Sequence, residues 1–331
     1  MLCIALASLT LFSLASCSFD KTNVKESTTT TTKNEKDDPS NSDEKPNDDE
    51  VKEITPATWM SAVDDETSLG SIAMPGTHDS GATKEPLSGT AKCQNLTIEE
   101  QLNIGVRYFD IRLRRENGKL NIYHGSINQD LSFEEVLNAC YTFLETNPSE
   151  ALIMCIKEEY DATGSNSAFD VMVKKHIDAK KDAWYLENKV PNMGDARGKI
   201  VLMRRYGTSG TFGFNASSGW QDNTTFTLKS GLVTLKCQDY YDDESADKKW
   251  EEIDGFFGQM KPKKNTYYLN NTSGYVSGLF GIPNILKISD EINPKLLTKL
   301  TEEKPDVVGI IATDFINAEI ANAIYSLNFD N

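Results

Sequence analysis

Apolar and polar positions recur along the chain after residue 55 with two different periods, which predict strands and helices in turn. Short apolar runs have the length of buried strands, and the amphipathic stretches between them have the spacing of helices. The predicted strands are 71–74, 106–113, 120–124, 151–157, 199–205, 232–239, 285–288 and 307–313. The predicted helices are 98–104, 133–145, 168–180, 248–257, 294–301 and 318–327. Strands that alternate with helices indicate parallel βα units.

The eight predicted strands form one linear series with no internal linker after residue 55. A length of 331 residues permits either two ordinary domains or one α/β barrel with appendages. The uninterrupted series favours the barrel. We therefore predict an α/β fold, in which residues 56–331 form a single, distorted TIM-type (β/α)8 barrel.

The first 17 residues are an apolar run of signal-peptide length that ends in Leu14, Ala15, Ser16 and Cys17. The run is too short for a membrane-spanning helix. Its last four residues resemble the lipobox of bacterial lipoproteins, and this resemblance implies cleavage before Cys17 and acylation of its thiol. The basic residues that usually begin such a signal are missing. An uncleaved anchor or a plain secretion signal is therefore the alternative interpretation.

Residues 18–55 are rich in Ser, Thr, Asn, Asp, Lys and Glu and hold almost no apolar side chains. Such a segment cannot bury enough surface to fold, so it is predicted to be a disordered, acidic tether. Together with residues 1–17 it indicates an exported bacterial lipoprotein, anchored to a membrane of the cell envelope or at the cell surface.

The whole chain is acidic, with 34 basic and 50 acidic residues and a net charge of −16. Nucleic-acid binding needs clustered Lys and Arg, so this composition excludes nucleic acid as an expected partner. The acidic balance also disfavours adsorption to anionic membranes by bulk charge. We expect the protein to act as a monomer.

Four cysteines lie in the predicted barrel: Cys93, Cys140, Cys155 and Cys237. Four thiols allow three full pairings, and the sequence does not choose among them. Cys155 and Cys237 fall inside apolar runs, where buried free thiols behaving as small hydrophobic groups are an equally good interpretation. No cysteine spacing resembles a zinc site.

Alternation along the strand at 105–114 separates an apolar face from a polar one. Phe109, Ile111 and Leu113 share the face suited to packing under helices. The other face carries Tyr108, Asp110, Arg112 and Arg114. Charges on a buried strand are costly unless they line a polar cavity.

Other predicted strands also end in a polar residue at or near the carboxyl end, where barrel enzymes keep their active sites. The residues that could meet at one barrel mouth are His78, Asp110, Arg112, His124, Lys157, Arg205, Asp239, Tyr241 and Asp314. Packing alone could explain any one of them. The repetition over several strands favours a shared site.

The chain has three histidines, and a histidine is the side chain best suited to acid and base work near neutral pH. His78 follows a strand and a Pro-Gly pair in the stretch AMPGTHDSG. His124 ends a predicted strand, and a lone histidine there could be a packing residue. His176 lies on a lysine-rich predicted helix and is expected at the surface.

Four motifs occur in a fixed order: THDSG after a strand, GVRYFDIRLR, YHGS and IKEEY. They resemble the X-domain of bacterial phosphatidylinositol-specific phospholipase C, and the resemblance runs from about Trp59 to the end of the chain. It implies that His78 is the general base and that His124 is the general acid. It also implies that Asp79 orients the acid and that Asp314 orients the base.

The same resemblance assigns the phosphate to Arg112, beside Asp110. Less specific local matches imply inositol contacts from Lys157, Arg205, Asp239 and Tyr241. Family members that use calcium carry an acidic residue where this chain has Arg112, so the arginine indicates metal independence. No cofactor is implied.

The implied reaction is intramolecular attack of the inositol 2-hydroxyl on the 1-phosphate, which expels diacylglycerol and leaves a cyclic phosphodiester. A base must take the hydroxyl proton and an acid must protonate the leaving alkoxide, so two histidines suit this chemistry. An arginine offers a planar pair of donors to the phosphoryl oxygens. The implied partner is an inositol phospholipid in a membrane, whether free, glycosylated or part of a glycosyl-phosphatidylinositol anchor.

Two alternative functions remain open from the sequence. Metal-dependent glycerophosphodiester phosphodiesterases share a barrel and a histidine at the end of the first strand, but they need a carboxylate cluster for a divalent cation. A catalytically inactive lipoprotein that binds lipid or glycan could use the same scaffold. A phosphodiesterase assay with and without chelator separates the three.

Overall fold

The computed structural model of the chain describes residues 54–160, 168–242, 245–278, 281–306 and 309–329. The predicted signal peptide, with Cys17, and all of the predicted tether up to residue 53 lie outside the described residues. No described helix is both long enough and apolar enough to cross a membrane.

Strands and helices alternate along much of the chain, as the sequence predicts, but several strands also follow one another without a helix between them. The strands are β1 Ala73–Thr77, β2 Tyr108–Glu116, β3 Lys119–His124, β4 Ile127–Ser132, β5 Leu152–Glu158, β6 Trp184–Tyr185, β7 Ile200–Arg205, β8 Phe214–Asn215, β9 Thr225–Ser230, β10 Val233–Gln238, β11 Thr266–Asn271, β12 Val276–Ser277, β13 Pro283–Asn284 and β14 Gly309–Thr313. The helices are α1 Ile98–Asn103, α2 Phe133–Thr146, α3 Phe169–Ala179, α4 Met193–Ala196, α5 Ala246–Phe257, α6 Ile285–Thr298 and α7 Ala318–Ser326.

One curled sheet of twelve strands forms the barrel wall. Its central strands run parallel in the order β7-β5-β2-β1-β14-β11-β10, so the first and last strands of the domain are neighbours. The antiparallel strand β9 borders β10 at one end, while the short strands β6 and β8 pair with β7 at the other. Among the described residues no ladder joins these two ends, which makes the barrel a distorted one.

Side chains rather than backbone hydrogen bonds bring the two ends of the sheet together. The Phe214 ring lies 6.0 Å from the Tyr267 ring between centroids. Nearer the carboxyl ends of the strands, the Arg205 guanidinium stacks 3.6 Å above the Trp220 ring. The predicted distorted TIM-type barrel is thus confirmed, with a side-chain seam between β8 and β9.

Two apolar cores lie on the two sides of the sheet. The inner core contains Met74, Tyr108 and Cys155 with their neighbours inside the barrel. The outer core contains Phe109, Ile111 and their neighbours under the helices. The predicted alternation of β2 is therefore confirmed for Asp110 and Arg112, which share the parity of Tyr108 and belong to the interior. Arg114, farther along the same face, stacks on Tyr123 and Tyr160 instead.

The helices begin where the sequence provides capping residues. Thr97 and Glu100 form a reciprocal capping box at α1, and Ser132 and Glu135 form another at α2. These caps satisfy backbone N–H groups that a first helical turn leaves without partners.

The prediction of a strand at 285–288 is wrong, because these residues form the first turn of α6. The Asn284 side chain accepts a hydrogen bond from the Lys287 N–H and so starts the helix there. Pro294 lies inside this helix, whereas the sequence predicts that a helix begins at it. The strand at this place in the barrel is β11, whose sequence TYYLNN lacks the expected apolar run.

Two further differences concern the first strands. Strand β1 runs from Ala73 through Pro75 and Gly76 to Thr77, so the Pro-Gly pair lies inside the strand instead of ending it. A Cβ at Gly76 would lie 2.9 Å from the Tyr108 ring, so glycine lets β1 and β2 approach each other. The predicted strand at 120–124 forms part of the β3–β4 hairpin, which extends from β2 by antiparallel pairing.

All four cysteines of the barrel are buried and free, so the structure contains no disulfide among the described residues. Cys155 and Cys237 pack in the inner core, in agreement with the interpretation as small apolar groups. Cys140 packs in the outer core. Cys93 lies apart from both, in a small cluster with Ala82 and Ile285 beside the barrel mouth.

Candidate active site

A cavity of about 220 Å³ opens at the carboxyl ends of the parallel strands. Its lining contains eight of the residues predicted from strand ends: His78, Arg112, His124, Lys157, Arg205, Asp239, Tyr241 and Asp314. Asp79 and Asp110 are buried directly behind Arg112. The structure therefore brings together the nine side chains predicted to meet at the barrel mouth, with Asp79, which the family resemblance adds, beside them.

His78 is positioned by the pairing of the first and last strands. Its backbone N–H donates to the Thr313 carbonyl, which continues the β1–β14 ladder by one residue. Its Nδ1 lies 2.8 Å from Asp314 Oδ1, and its Nε2 lies 2.7 Å from Arg112 Nη2. Arginine can only donate, so Nε2 accepts, and the proton of the neutral ring is on Nδ1, where it donates to Asp314.

Arg112 lies between two buried carboxylates. Its Nε donates to Asp110 Oδ2 over 3.0 Å, and its Nη1 lies 3.6 Å from Asp79 Oδ2. Burial opposes ionisation of Asp110, but the positive charges of Arg112 and Arg205 outweigh it and hold the pKa of Asp110 below its usual range. Burial likewise opposes the charge on Arg112, yet the two carboxylates raise its pKa. A fixed positive charge therefore points into the cavity.

His124 ends β3 and is held by a backbone carbonyl. Its Nδ1 lies 2.6 Å from the Ala91 carbonyl oxygen, which can only accept, so this nitrogen carries a proton. The Asp79 Oδ2 atom and the Cys93 Sγ atom each lie 3.7 Å from the same nitrogen. Because the ring lines the cavity, its other nitrogen, Nε2, can contact a bound substrate.

Asp79 has an unusual environment for a carboxylate. It is fully buried, its backbone is in the left-handed region with φ of 37°, and neither oxygen has a hydrogen-bond partner among the described residues. Burial raises its pKa, although Arg112 and His124 act in the opposite direction. Asp79 thus lies close to His124 without a hydrogen bond to it, while the Ala91 carbonyl makes the hydrogen bond to the ring.

The far side of the cavity carries the residues expected to contact a sugar. Lys157 donates to Glu159 over 2.7 Å, and Tyr241 donates to Asp222 over 2.6 Å. Arg205 lies 4.0 Å from Asp110 Oδ1. These charged and hydroxyl groups can form hydrogen bonds with a polyol.

Trp220 is a site residue that strand-end reasoning does not find. Its indole N–H donates to Asp239 Oδ2 over 2.9 Å, while its ring stacks on Arg205. Asn271 donates to the other oxygen of Asp239 over 2.8 Å. Trp220 lies in a loop without periodicity, and Asn271 ends β11, which the apolar pattern does not reveal. Identification of β11 would have found Asn271 by its inward parity.

His176 lies outside the site. It is on α3, where its ring contacts Phe133 edge-on at 5.3 Å between centroids, and it does not line the cavity. Burial lowers its pKa. It is partly buried by packing, whereas the sequence predicts a surface position.

Two overlapping groups of the described side chains offer metal-ligand atoms close together. One consists of His78, Cys93 and Asp314, and the other of Asp79, Cys93 and His124. In each group the three ligand atoms lie within 4.8 Å of one another.

Comparisons with known proteins agree on one family. The sequence model described as phosphatidylinositol-specific phospholipase C, X domain, matches residues 73–206. The 1-phosphatidylinositol phosphodiesterase of Listeria monocytogenes is 31% identical over 289 residues, which cover 84% of this chain and 87% of the relative. The enzyme of the same name from Staphylococcus aureus strain Newman is 29% identical over 280 residues, which cover 79% of this chain and 88% of the relative.

Solved structures give the same result. A pentafluoro-Phe-containing phosphatidylinositol-specific phospholipase C from Staphylococcus aureus superimposes with a TM-score of 0.73 at 28% identity, over 81% of this chain and 97% of that one. The phosphatidylinositol-specific phospholipase C from Listeria monocytogenes superimposes with a TM-score of 0.65 at 27% identity, over 83% and 99% of the two chains.

Proposed function

Because the chain belongs to the phosphatidylinositol-specific phospholipase C family, we propose that it cleaves an inositol phospholipid to diacylglycerol and inositol 1,2-cyclic phosphate. The observation that carries the proposal is the placement of its two histidines. Each ring holds a proton on Nδ1, which donates to Asp314 in His78 and to the Ala91 carbonyl in His124. Both rings line the same cavity as Arg112, so one can serve as base and the other as acid toward a single substrate.

In this proposal His78 takes the proton from the inositol 2-hydroxyl. Its Nε2 lone pair accepts from Arg112, and both side chains line the cavity. The imidazolium that forms is stabilised by Asp314, which accepts the Nδ1–H and is itself buried. The hydroxyl oxygen then attacks the phosphorus of the 1-phosphate on the same inositol ring.

His124 gives a proton to the diacylglycerol alkoxide as the phosphorus–oxygen bond breaks. The Asp79 carboxylate is buried 3.7 Å from the His124 Nδ1. The Ala91 carbonyl fixes the ring so that Nε2 is the donor. His78 then releases its added proton to solvent and His124 takes one up, so that the net transfer is from the 2-hydroxyl to the alkoxide.

Arg112 stabilises the negative charge that builds on the phosphoryl oxygens. Asp110 holds its Nε edge, which leaves the two terminal nitrogens for the phosphate. When a phosphate arrives, Nη2 exchanges its contact with His78 for one with the phosphate, and this frees the His78 lone pair for the hydroxyl proton.

The rest of the cavity suits one polar headgroup. A volume of about 220 Å³ lies below the range of roughly 300 Å³ and more that drug-sized ligands occupy, so the acyl chains remain outside. Lys157, Arg205, Asp239 and Tyr241 are the groups that we assign to the inositol hydroxyls. Trp220 positions two of them, because it contacts both Arg205 and Asp239.

A metal-dependent phosphodiesterase mechanism is the competing function. It would need the carboxylates at the centre of the site for a cation, whereas Asp79 and Asp110 face the Arg112 guanidinium. An inactive binding protein would not need two histidines and Arg112 in the same cavity. One experiment distinguishes both alternatives from the proposed enzyme.

Phosphorus NMR of the products from phosphatidylinositol, in the presence of EDTA, tests the function. We expect the resonance of a five-membered cyclic phosphate to appear at the same rate with and without chelator, because Arg112 supplies the positive charge. Loss of turnover in EDTA with recovery in calcium or magnesium would favour the metal-dependent phosphodiesterase. Absence of any product under both conditions would favour the binding protein.

For the segment outside the described residues we propose a lipid anchor on Cys17, which follows from the Leu-Ala-Ser-Cys sequence and the polar stretch after it. Replacement of Cys17 by Ser is expected to release the protein from membranes or to mislocalise it. Fractionation of cells with detection of the protein in membrane and soluble fractions measures this. Unchanged membrane association of the Cys17→Ser variant would contradict the anchor.

A further inference from the structure

Cys93 lies against the acid side of the site, yet it has no part in the proposed chemistry. It is fully buried, and its Sγ lies 3.7 Å from His124 Nδ1 and 3.9 Å from the Ala91 carbonyl oxygen. Asp79 completes the cluster, with its Oδ2 3.7 Å from the same nitrogen. A thiol, an imidazole and a carboxylate are three of the ligand types that zinc prefers.

The spacing of these three groups matches the demands of a tetrahedral cation. Bonds of about 2.0 Å to nitrogen and oxygen and of about 2.3 Å to sulfur place neighbouring ligand atoms roughly 3.5 Å apart. The Nδ1–Sγ and Nδ1–Oδ2 distances are both 3.7 Å, and all three atoms lie within 4.8 Å of one another. Small side-chain movements therefore suffice to close the shell around an ion.

The Asp79 carboxylate provides a second, independent sign of a missing partner. Both oxygens are buried without a hydrogen bond among the described residues, a costly state for a carboxylate. Arg112 Nη1 is 3.6 Å from Oδ2, too far for a hydrogen bond. A metal ion bonded to one Asp79 oxygen would supply the missing partner.

We propose that Asp79, Cys93 and His124 form an inhibitory site for a thiophilic divalent cation such as Zn²⁺ or Cd²⁺. The Cys93 Sγ and the His124 Nδ1 each lose their proton to solvent and bind the metal, Asp79 binds through one oxygen, and the Ala91 carbonyl loses its hydrogen bond from His124. The ring then holds a proton only on Nε2, and the metal on Nδ1 prevents formation of the doubly protonated imidazolium. His124 can no longer act as the acid, a consequence that rests on the proposed function.

The overlapping group of His78, Cys93 and Asp314 is a poorer site. His78 Nδ1 and Asp314 Oδ1 already satisfy each other at 2.8 Å, so an ion there would have to break a good hydrogen bond to a buried carboxylate. The two sites share Cys93 and differ in their histidine and in their carboxylate. Variants of Asp79 and Asp314 therefore distinguish them.

Direct binding of Cd²⁺ to the full-length protein is the first measurement, because it does not depend on the enzyme's activity. The ultraviolet charge-transfer band of a cadmium thiolate is expected to saturate at one equivalent. Cys93→Ala should abolish this band and raise the Kd by at least about 100-fold, the upper end of the cost of losing an outer-shell partner. Cys140→Ala is the matched control, since Cys140 is also a buried free thiol but lies in the outer core.

The carboxylate variants complete the binding experiment. Asp79→Asn should weaken Cd²⁺ binding by at least about tenfold, whereas Asp314→Asn should leave it unchanged. A band that survives in Cys93→Ala would overturn the proposal. Weakening by Asp314→Asn, with none by Asp79→Asn, would overturn it in favour of the other carboxylate.

Inhibition of turnover by micromolar Zn²⁺ is the second measurement. We expect Zn²⁺ to inhibit the wild-type protein and the Cys140→Ala variant, and to inhibit Cys93→Ala at least about 100-fold more weakly, each relative to its own metal-free rate. Magnesium and calcium should have no effect, because they prefer oxygen ligands. Cadmium binding at Cys93 without inhibition would overturn the inhibitory role, and a protein inactive without metal would refute the proposed function while the binding result stands.

Discussion

Replacement of His78 by Ala is expected to lower turnover of phosphatidylinositol by about a hundredfold or more, the usual range for the loss of a general base. The variant keeps Arg112 and the cavity but has no group that can take the proton of the 2-hydroxyl. The rate constant of cyclic phosphate formation measures the effect. The urea midpoint of the variant is recorded alongside, because Asp314 is buried and loses its hydrogen-bond partner.

The partner variant, His124→Ala, separates the roles of the two histidines. The loss of turnover should be large with diacylglycerol as leaving group and small with a nitrophenyl inositol phosphate, because a nitrophenolate leaves without a proton. His78→Ala should cause a large loss of turnover on both substrates, since both need the 2-hydroxyl to attack the phosphate. Equal losses for His124→Ala on the two substrates would contradict the assignment of the acid.

The same pair predicts the pH dependence of turnover. One histidine must be neutral and the other protonated at the same time, so the rate should fall at both low and high pH. The two limbs of this bell report macroscopic pKa values of the coupled site. His176→Ala serves as the control, because His176 contacts Phe133 away from the cavity. Its profile should match that of the unmodified protein.

Replacement of Arg112 by Lys is expected to reduce turnover by about a hundredfold to a thousandfold, the usual cost of losing one preorganised donor to a developing oxyanion. Lysine keeps the charge but cannot hold Asp110 and a phosphate with one planar group. The rate constant of turnover on phosphatidylinositol measures the loss.

Arg115→Lys is the matched control for this change. Arg115 is on the same strand and pairs with Glu158 away from the cavity lining, with about a quarter of its side chain exposed, 23%. Its replacement should change turnover little. A fully active Arg112→Lys variant would show that charge alone suffices and would remove the basis for bidentate phosphate binding.

Strand alternation proved the most informative signal in the sequence. Apolar residues of β2 such as Phe109 pack in the outer core, whereas Asp110 and Arg112, of opposite parity, lie in the interior and at the cavity. Because parallel strands end at the same edge of a barrel, the polar strand ends could be grouped without knowledge of which strands are neighbours.

The features that sequence reasoning missed depend on contacts across long separations. Strand β11 has Asn270 and Asn271 in fully or largely buried positions, where hydrogen bonds from other strands replace apolar packing. A search for runs of apolar residues cannot find a strand whose buried residues are polar and hydrogen-bonded. The Ala91 carbonyl that orients His124 is a backbone group, and any residue type would supply it.

The error at α6 has a local cause. An apolar run of four residues at 285–288 fits a strand and the first turn of a helix equally well, and Pro294 suggests a later start. The hydrogen bond from the Lys287 N–H to the Asn284 side chain decides in favour of the helix. Trp220 was missed for a non-local reason. Its two partners, Arg205 and Asp239, come from opposite sides of the seam, and nothing in its loop sequence indicates these contacts.

The hydrogen bond between His78 and Asp314 joins residues 236 positions apart, across the pairing of the first and last barrel strands. A ribosome releases the chain from its N-terminus, so both histidines and Arg112 emerge long before Asp314 does. Until β14 enters the sheet between β1 and β11, the base has no carboxylate to orient it. A chain that ends before β14 lacks the carboxylate that holds His78, so we expect it to be inactive.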